Sequence, residues 1–140
     1  MPDIFQHFLI HAPASKVFHG ISTPHGLDTW WTKSSSRHGD ELELFFGANH
    51  DWRAKVSRSV ADREFEIEIT KADGDWTGTR MGFVLEETKG DTQVRFHHTG
   101  WPQSNDHYRI SCYCWAMYLR LLKRNVEQGE VIPFEQRLEV

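Results

Sequence analysis

The segment from about Asn105 to Gln128 constrains the fold more than any other part of the chain. Projected at 100° per residue, Ile110, Cys114, Trp115, Met117, Tyr118, Leu119, Leu121, Leu122 and Val126 cover roughly 200° of a helical wheel. Arg109, Arg120, Lys123, Arg124 and Glu127 gather opposite them. Ser104 offers an N-cap, Asp106 complements the positive end of the helix dipole, and Gly129 supplies the stop. A helix of about 24 residues is some 36 Å long, enough to cross a whole sheet. So wide an apolar arc implies that the sheet bends around the helix.

The rest of the chain supplies that sheet. Ile4 to His11 is β-rich and stops at Ala12-Pro13-Ala14-Ser15, after which Val17, Phe18 and Ile21 recur at helical spacing. Thr23-Pro24 reads as an N-cap followed by proline at the first helical position, opening a second short helix with Leu27, Trp30 and Trp31 on its apolar side. Thr32 to Asp40 reads as an exposed loop. Beyond it the period becomes two: Leu42, Leu44 and Phe46 share one face, as do Trp52, Ala54 and Val56, and Phe65, Ile67 and Ile69.

A two-residue turn at Ala61-Asp62 sets Lys55 opposite Glu68 and Val56 opposite Ile67. Lys89-Gly90 makes a second tight turn that pairs Phe83 with Phe96, Leu85 with Val94 and Met81 with His98. Asp73-Gly74 turns the chain between these hairpins. The expected fold class is therefore α+β: a curved six-stranded antiparallel sheet, two short helices after the first strand, and a long C-terminal helix packed across it. Residues 1–140 suit one domain of this kind.

The string Ile10-His11-Ala12-Pro13-Ala14-Ser15-Lys16-Val17-Phe18, then Thr23-Pro24, then Leu27 with Trp30-Trp31, resembles the START-like superfamily, also called SRPBCC or helix-grip proteins. Within it the branch is that of activators of the heat-shock protein 90 ATPase. His98-Thr99-Gly100-Trp101 and the run from Cys112 to Leu119 resemble small bacterial members. The resemblance implies a cavity between the concave sheet and the terminal helix, used by different members for lipids, sterols, hormones or polyketides. The eukaryotic activators carry an additional N-terminal domain, for which 140 residues leave no room, so a chaperone-activating interaction module ranks second.

Charge and composition narrow the partners. The net charge of -4, with Lys and Arg scattered among Glu and Asp, makes no phosphate-neutralising patch, so nucleic acid is not expected. No stretch approaches the ~20 apolar residues of a membrane span, and Asp3 stands where a signal-like start would be basic, which points to the cytoplasm. Cys112 and Cys114 leave a helix on nearly opposite sides and read as buried, reduced thiols. A homodimer is left open.

His98 shares the inward face with Val94 and Phe96, while His97 points the other way. Beside Tyr108 or Tyr118, His98 suits either a core histidine or a group that orients a ligand or moves a proton. Nine histidines, His50 among them, show neither a helical i, i+4 pair nor an H-E-x-x-H run, so no metal and no cofactor is expected. Ser111 reads as bonding back within its helix, and no nucleophile elbow or phosphate loop is present.

The candidate cavity residues are Trp31, Trp52, Phe83, Phe96, Trp101, Trp115 and Tyr118, with His98, Tyr108 and Arg58 as polar contacts. The alternation that buries Val56 turns Arg58 inward, whereas a bulge turns it out. The leading function is capture of a small apolar molecule, a lipid or polyketide. A protein-interaction module and a cyclase- or hydrolase-type enzyme are the alternatives.

Overall fold

The computed structural model describes residues 2–47 and 51–139. Its strands are β1 (Ile4–Ile10), β2 (Ser34–His38), β3 (Glu41–Phe45), β4 (Asp51–Val60), β5 (Glu64–Lys71), β6 (Arg80–Thr88) and β7 (Asp91–Thr99). Helices α1 (Ala14–Ser22) and α2 (Pro24–Trp30) follow β1, and α3 (Asp106–Gln128) follows β7. Short 3-10 turns lie at Gly74–Trp76 and Phe134–Glu139. The strands form one antiparallel sheet in the order β1-β7-β6-β5-β4-β3-β2, so six run as a meander and the first strand closes against the last.

The sheet has seven strands where six were expected. The extra one is β2, inside the segment read as a loop. Ser34-Ser35-Ser36-Arg37-His38 has no apolar alternation to announce a strand, yet its backbone ladders onto β3. Ser35 Oγ also donates to Asp28 Oδ1 at 2.8 Å, tying this edge to α2.

The Lys89-Gly90 hairpin forms as expected, with Lys89 at φ 56° and Gly90 at φ 84°, and with Met81, Phe83 and Leu85 facing His98, Phe96 and Val94. At the other hairpin Lys55 does face Glu68 and Val56 faces Ile67. The turn, however, is one residue wider than read: Val60 pairs with Glu64, and a bulge between Val56 and Arg58 restores the register. That bulge reverses Arg58, which lies exposed on the convex face against the Glu64 carboxylate. Arg58 is therefore no part of the interior.

Helix ends follow their chemistry. Thr23 Oγ1 accepts the Gly26 N–H at 3.0 Å, with Pro24 in the first turn. α3 starts one residue later than read. Its cap is Asn105, whose Oδ1 accepts the Tyr108 N–H at 3.0 Å, rather than Ser104, and Gly129 ends it at φ 72°. Gly26 lets α1 and α2 touch, since a Cβ there would fall 2.3 Å from the His19 carbonyl oxygen.

The core fills the space between concave sheet and α3. Trp30, Trp31, Trp101, Trp115, Phe83 and Phe96 are its largest fully buried side chains. Beyond α3, the C-terminal turn is pinned by Arg137, which is 3% exposed. Its guanidinium donates to the carbonyls of Ile132, Thr32 and Asp28 at 2.9, 3.0 and 2.7 Å. The last two lie at the C-terminal end of α2, where a cation is favoured.

Candidate functional site

Five aromatic residues from five segments close into a circuit at one end of the sheet. Trp31 follows α2, Phe46 follows β3, Trp52 lies on β4, Trp76 ends the first 3-10 turn, and Trp115 projects from α3. Successive ring centroids are 5.2 Å (Trp31–Phe46), 4.8 Å (Phe46–Trp52), 5.0 Å (Trp52–Trp76), 5.5 Å (Trp76–Trp115) and 5.3 Å (Trp115–Trp31). All but the Trp76–Trp115 stack meet edge-to-face or tilted, the geometries that ring quadrupoles favour.

Above the circuit lies a cleft of about 390 Å³, walled by Trp31, Phe46, Trp52, Trp76 and Tyr118 and completed by Cys114, Ile110, Phe134 and Leu138. Its polar contributors are Asp73, His107 and Ser111. Ser111 Oγ accepts the Trp76 indole N–H at 3.1 Å, so its bond runs across to the sheet side rather than back along its own helix. The Trp52 indole N–H is buried and has no partner among the described residues. An orphan donor in such a place costs free energy until something accepts from it.

His98 sits behind this circuit and is fully buried. Its Nδ1 accepts the Trp115 indole N–H at 3.0 Å, and an indole can only donate. The ring proton is thus on Nε2, which donates to Thr79 Oγ1 at 2.7 Å. The Thr79 hydroxyl passes its own proton to the Trp76 carbonyl at 2.6 Å. Burial pushes the His98 pKa down to about 3, with His97 and His107 adding to the shift. The imidazole is neutral, with both nitrogens engaged, and has no open space beside it for a substrate proton.

Two groups on the cleft wall, Cys114 and Tyr118, are shifted as well. Burial pushes both the Cys114 thiol and the Tyr118 phenol upward, so neither a thiolate nor a phenolate forms readily. Cys112 and Cys114 are free and only half-buried, more open than the sequence suggested. Tyr108 lies outside the cleft, its hydroxyl donating to the Asp3 carbonyl at 2.7 Å. Among the described residues no group of three or more His, Cys, Asp or Glu side chains converges as a metal site, and His50 lies outside them.

Of the sequence candidates, the cleft therefore gathers Trp31, Trp52 and Tyr118. Phe83, Phe96, His98, Trp101 and Trp115 are packed beneath as core. Sequence reasoning missed Phe46, which it placed only on a strand face, and also Trp76, Phe134 and Leu138. Trp76 falls in a turn between two strands, where no periodicity marks it. The other two follow the helix stop at Gly129, where an apolar pair after Pro133 was the available signal.

The family model described as activator of Hsp90 ATPase homolog 1-like protein matches residues 11–127, most of the chain. The chain belongs to this family. Comparison with curated protein sequences finds no match. Among solved structures, the Aha1 protein of Colwellia psychrerythraea, described as a dimer in solution, is 26% identical with a TM-score of 0.82, over 93% of this chain and 99% of that one. A Staphylococcus saprophyticus protein is 19% identical at a TM-score of 0.75, over 94% and 96%. DynU16, from the dynemicin biosynthetic locus, is 14% identical at a TM-score of 0.79, over 94% of this chain and 50% of its own. At those two identities the likeness carries the fold alone. Family membership and the long helix across an antiparallel sheet agree with the helix-grip reading. No helix among the described residues is long and apolar enough to cross a membrane.

Proposed function

We propose that the chain, acting as a single domain, holds a small hydrophobic molecule in the aromatic cleft and performs no reaction on it. The supporting observation is the cleft itself: about 390 Å³ walled by Trp31, Phe46, Trp52, Trp76 and Tyr118, with few polar groups to fix orientation. A ligand with a flat apolar body and one acceptor oxygen suits it, because the Trp52 N–H has no partner among the described residues. The space deeper between sheet and helix is occupied by Trp115, Phe83 and Phe96, so the ligand sits at the mouth. His98, neutral and bonded on both nitrogens, and the raised pKa values of Cys114 and Tyr118 support capture without reaction.

One observation favours docking of a protein instead. The rim leaves Ile110 60% and Leu138 47% exposed, an apolar border that a partner helix would cover. Native mass spectrometry of the purified protein, followed by extraction, separates the two. A discrete apolar adduct that Trp52→Ala diminishes supports the ligand reading. A bare protein with no thermal shift across a lipid and polyketide panel sinks it in favour of docking.

A further inference from the structure

The two edges of the sheet are guarded unequally. β2 closes one side with serines, an arginine and a histidine, the polar composition that keeps an edge from pairing with another chain. β1 closes the other and carries exposed Phe5 and Leu9. Its backbone orientation follows from the Lys89-Gly90 turn. Thr88 and Asp91 close that two-residue hairpin as a bonded pair, so Val94, Phe96 and His98 turn their amides toward β1. They meet Phe8, Gln6 and Ile4, which leaves Phe5, His7 and Leu9 with N–H and C=O directed away from the sheet.

Side chains of α3 cover the two ends of this edge. Tyr108 Oη donates to the Asp3 carbonyl at 2.7 Å, Lys123 Nζ donates to the Leu9 carbonyl at 2.5 Å, and Glu127 Oε2 accepts the His11 N–H at 2.7 Å. Between these caps the backbone groups of Phe5 and His7 have no partner among the described residues. Here a groove of about 390 Å³ opens between strand and helix, floored by Phe8, Ala116 and Leu119 and walled by Arg120, Lys123 and Arg124. Lys123 is paired with Glu127 and Arg124 with Glu130. Arg120 is exposed with no ion pair among the described residues, so the groove is locally positive on a chain whose net charge is -4.

We propose that this groove is a docking site for an extended peptide segment of a partner protein, which adds as an eighth strand beside Phe5 and His7. The edge supplies two N–H and two C=O groups to such a strand. One face of the strand meets Phe5 and Leu9 on the convex side; the other meets the apolar floor and sets a carboxylate near Arg120. A partner with alternating apolar and acidic residues matches both. A second copy of this chain fits less well, since antiparallel pairing through the same edge places His7 against His7 and brings two basic helix faces together. The proposal is independent of what the aromatic cleft holds.

A capped octapeptide alternating valine and glutamate, and its valine–lysine counterpart, are titrated into the ¹⁵N-labelled protein at low salt. The acidic peptide is expected to shift the Phe5 and His7 amides and to bind at least about tenfold more tightly than the basic one, with an affinity that falls as salt is added. His7→Pro removes an outward N–H, which an edge strand tolerates, and is expected to weaken binding about fivefold. Arg120→Glu, on an exposed helical face, is expected to weaken it about tenfold with an unchanged melt. No shift with either peptide, equal binding of the two, or wild-type affinity in Arg120→Glu overturns the proposal. So does concentration-dependent self-association that His7→Pro abolishes, which assigns the edge to a second copy.

Discussion

The aromatic residues around His98 and those around the cleft are of the same kind and lie one layer apart, yet they are held differently. In the inner layer Phe83, Phe96, Trp101 and Trp115 are almost wholly buried, and the Trp115 indole N–H, the His98 ring and the Thr79 hydroxyl form an unbroken donor-to-acceptor series. In the outer layer Phe46, Trp52 and Tyr118 are only partly covered and border open space, while the indole N–H groups of Trp52 and of the inner-layer Trp101 both lack a partner among the described residues. The two layers thus differ in burial rather than in kind: the inner rings are packed as core, whereas the outer rings border the cleft.

The sharpest way to break this contrast is to truncate one ring in each layer. Trp115→Ala is expected to cost about 3–5 kcal/mol, because it leaves a cavity and deprives His98 Nδ1 of its donor. Trp52→Ala is expected to cost clearly less, under about 2 kcal/mol, since its ring already borders open space. Denaturant melts of the two variants decide; equal losses would erase the distinction between the layers.

Acid probes the inner layer through His98. The folded-state pKa of His98 lies near 3, below its ordinary value of 6.5, so the unfolded chain takes up the proton first. The stabilisation is fully present above pH 6.5 and is lost as the pH falls toward 3. At about 1.4 kcal/mol per unit the loss from this group amounts to a few kcal/mol at the acid end. Melts between pH 7 and pH 4 are expected to show the decline in the wild type, and a His98→Gln variant to show a shallower slope. An identical slope would remove His98 as its source.

A smaller effect tests the wall that the C-terminal turn contributes to the cleft. Arg137→Leu leaves the carbonyls of Asp28, Thr32 and Ile132 without their donor and is expected to cost about 1–3 kcal/mol. Hydrogen exchange is expected to quicken across residues 134–139 while β6 and β7 stay protected. Uniform exchange throughout would mean that this turn is no separate unit.

Much of the frame was legible from residue order. The alternation in β5 and the glycine in Lys89-Gly90 each carry a local physical cause, and the pairings of Phe83 with Phe96 and Met81 with His98 follow from that turn. β2 was not legible, because an edge strand of serines is held by its ladder and by Asp28 rather than by side-chain burial. Arg58 was misplaced by a single bulged residue, which inverts every alternation beyond it. For the candidate site the residue types were legible but not their depth. Trp31 and Trp115 both read as apolar helix-face residues and both are buried, yet only Trp31 lines the cleft, a difference that the bend of the sheet decides. Trp76 needed a contact with α3 through Ser111, 35 positions away, that no local pattern announces.

The pairing of β1 with β7 has a consequence for how the chain is made. Ile4 meets His98 and Ile10 meets Thr92, so β1 waits for β7, the last strand of the sheet to be synthesised. Until β7 emerges, Ile4, Phe8 and Ile10 have no sheet to pack on, while the β4–β5 and β6–β7 hairpins can close as soon as they are synthesised. Closing so long a loop is slow relative to those hairpins, which makes the N-terminal segment the part most dependent on being shielded during synthesis.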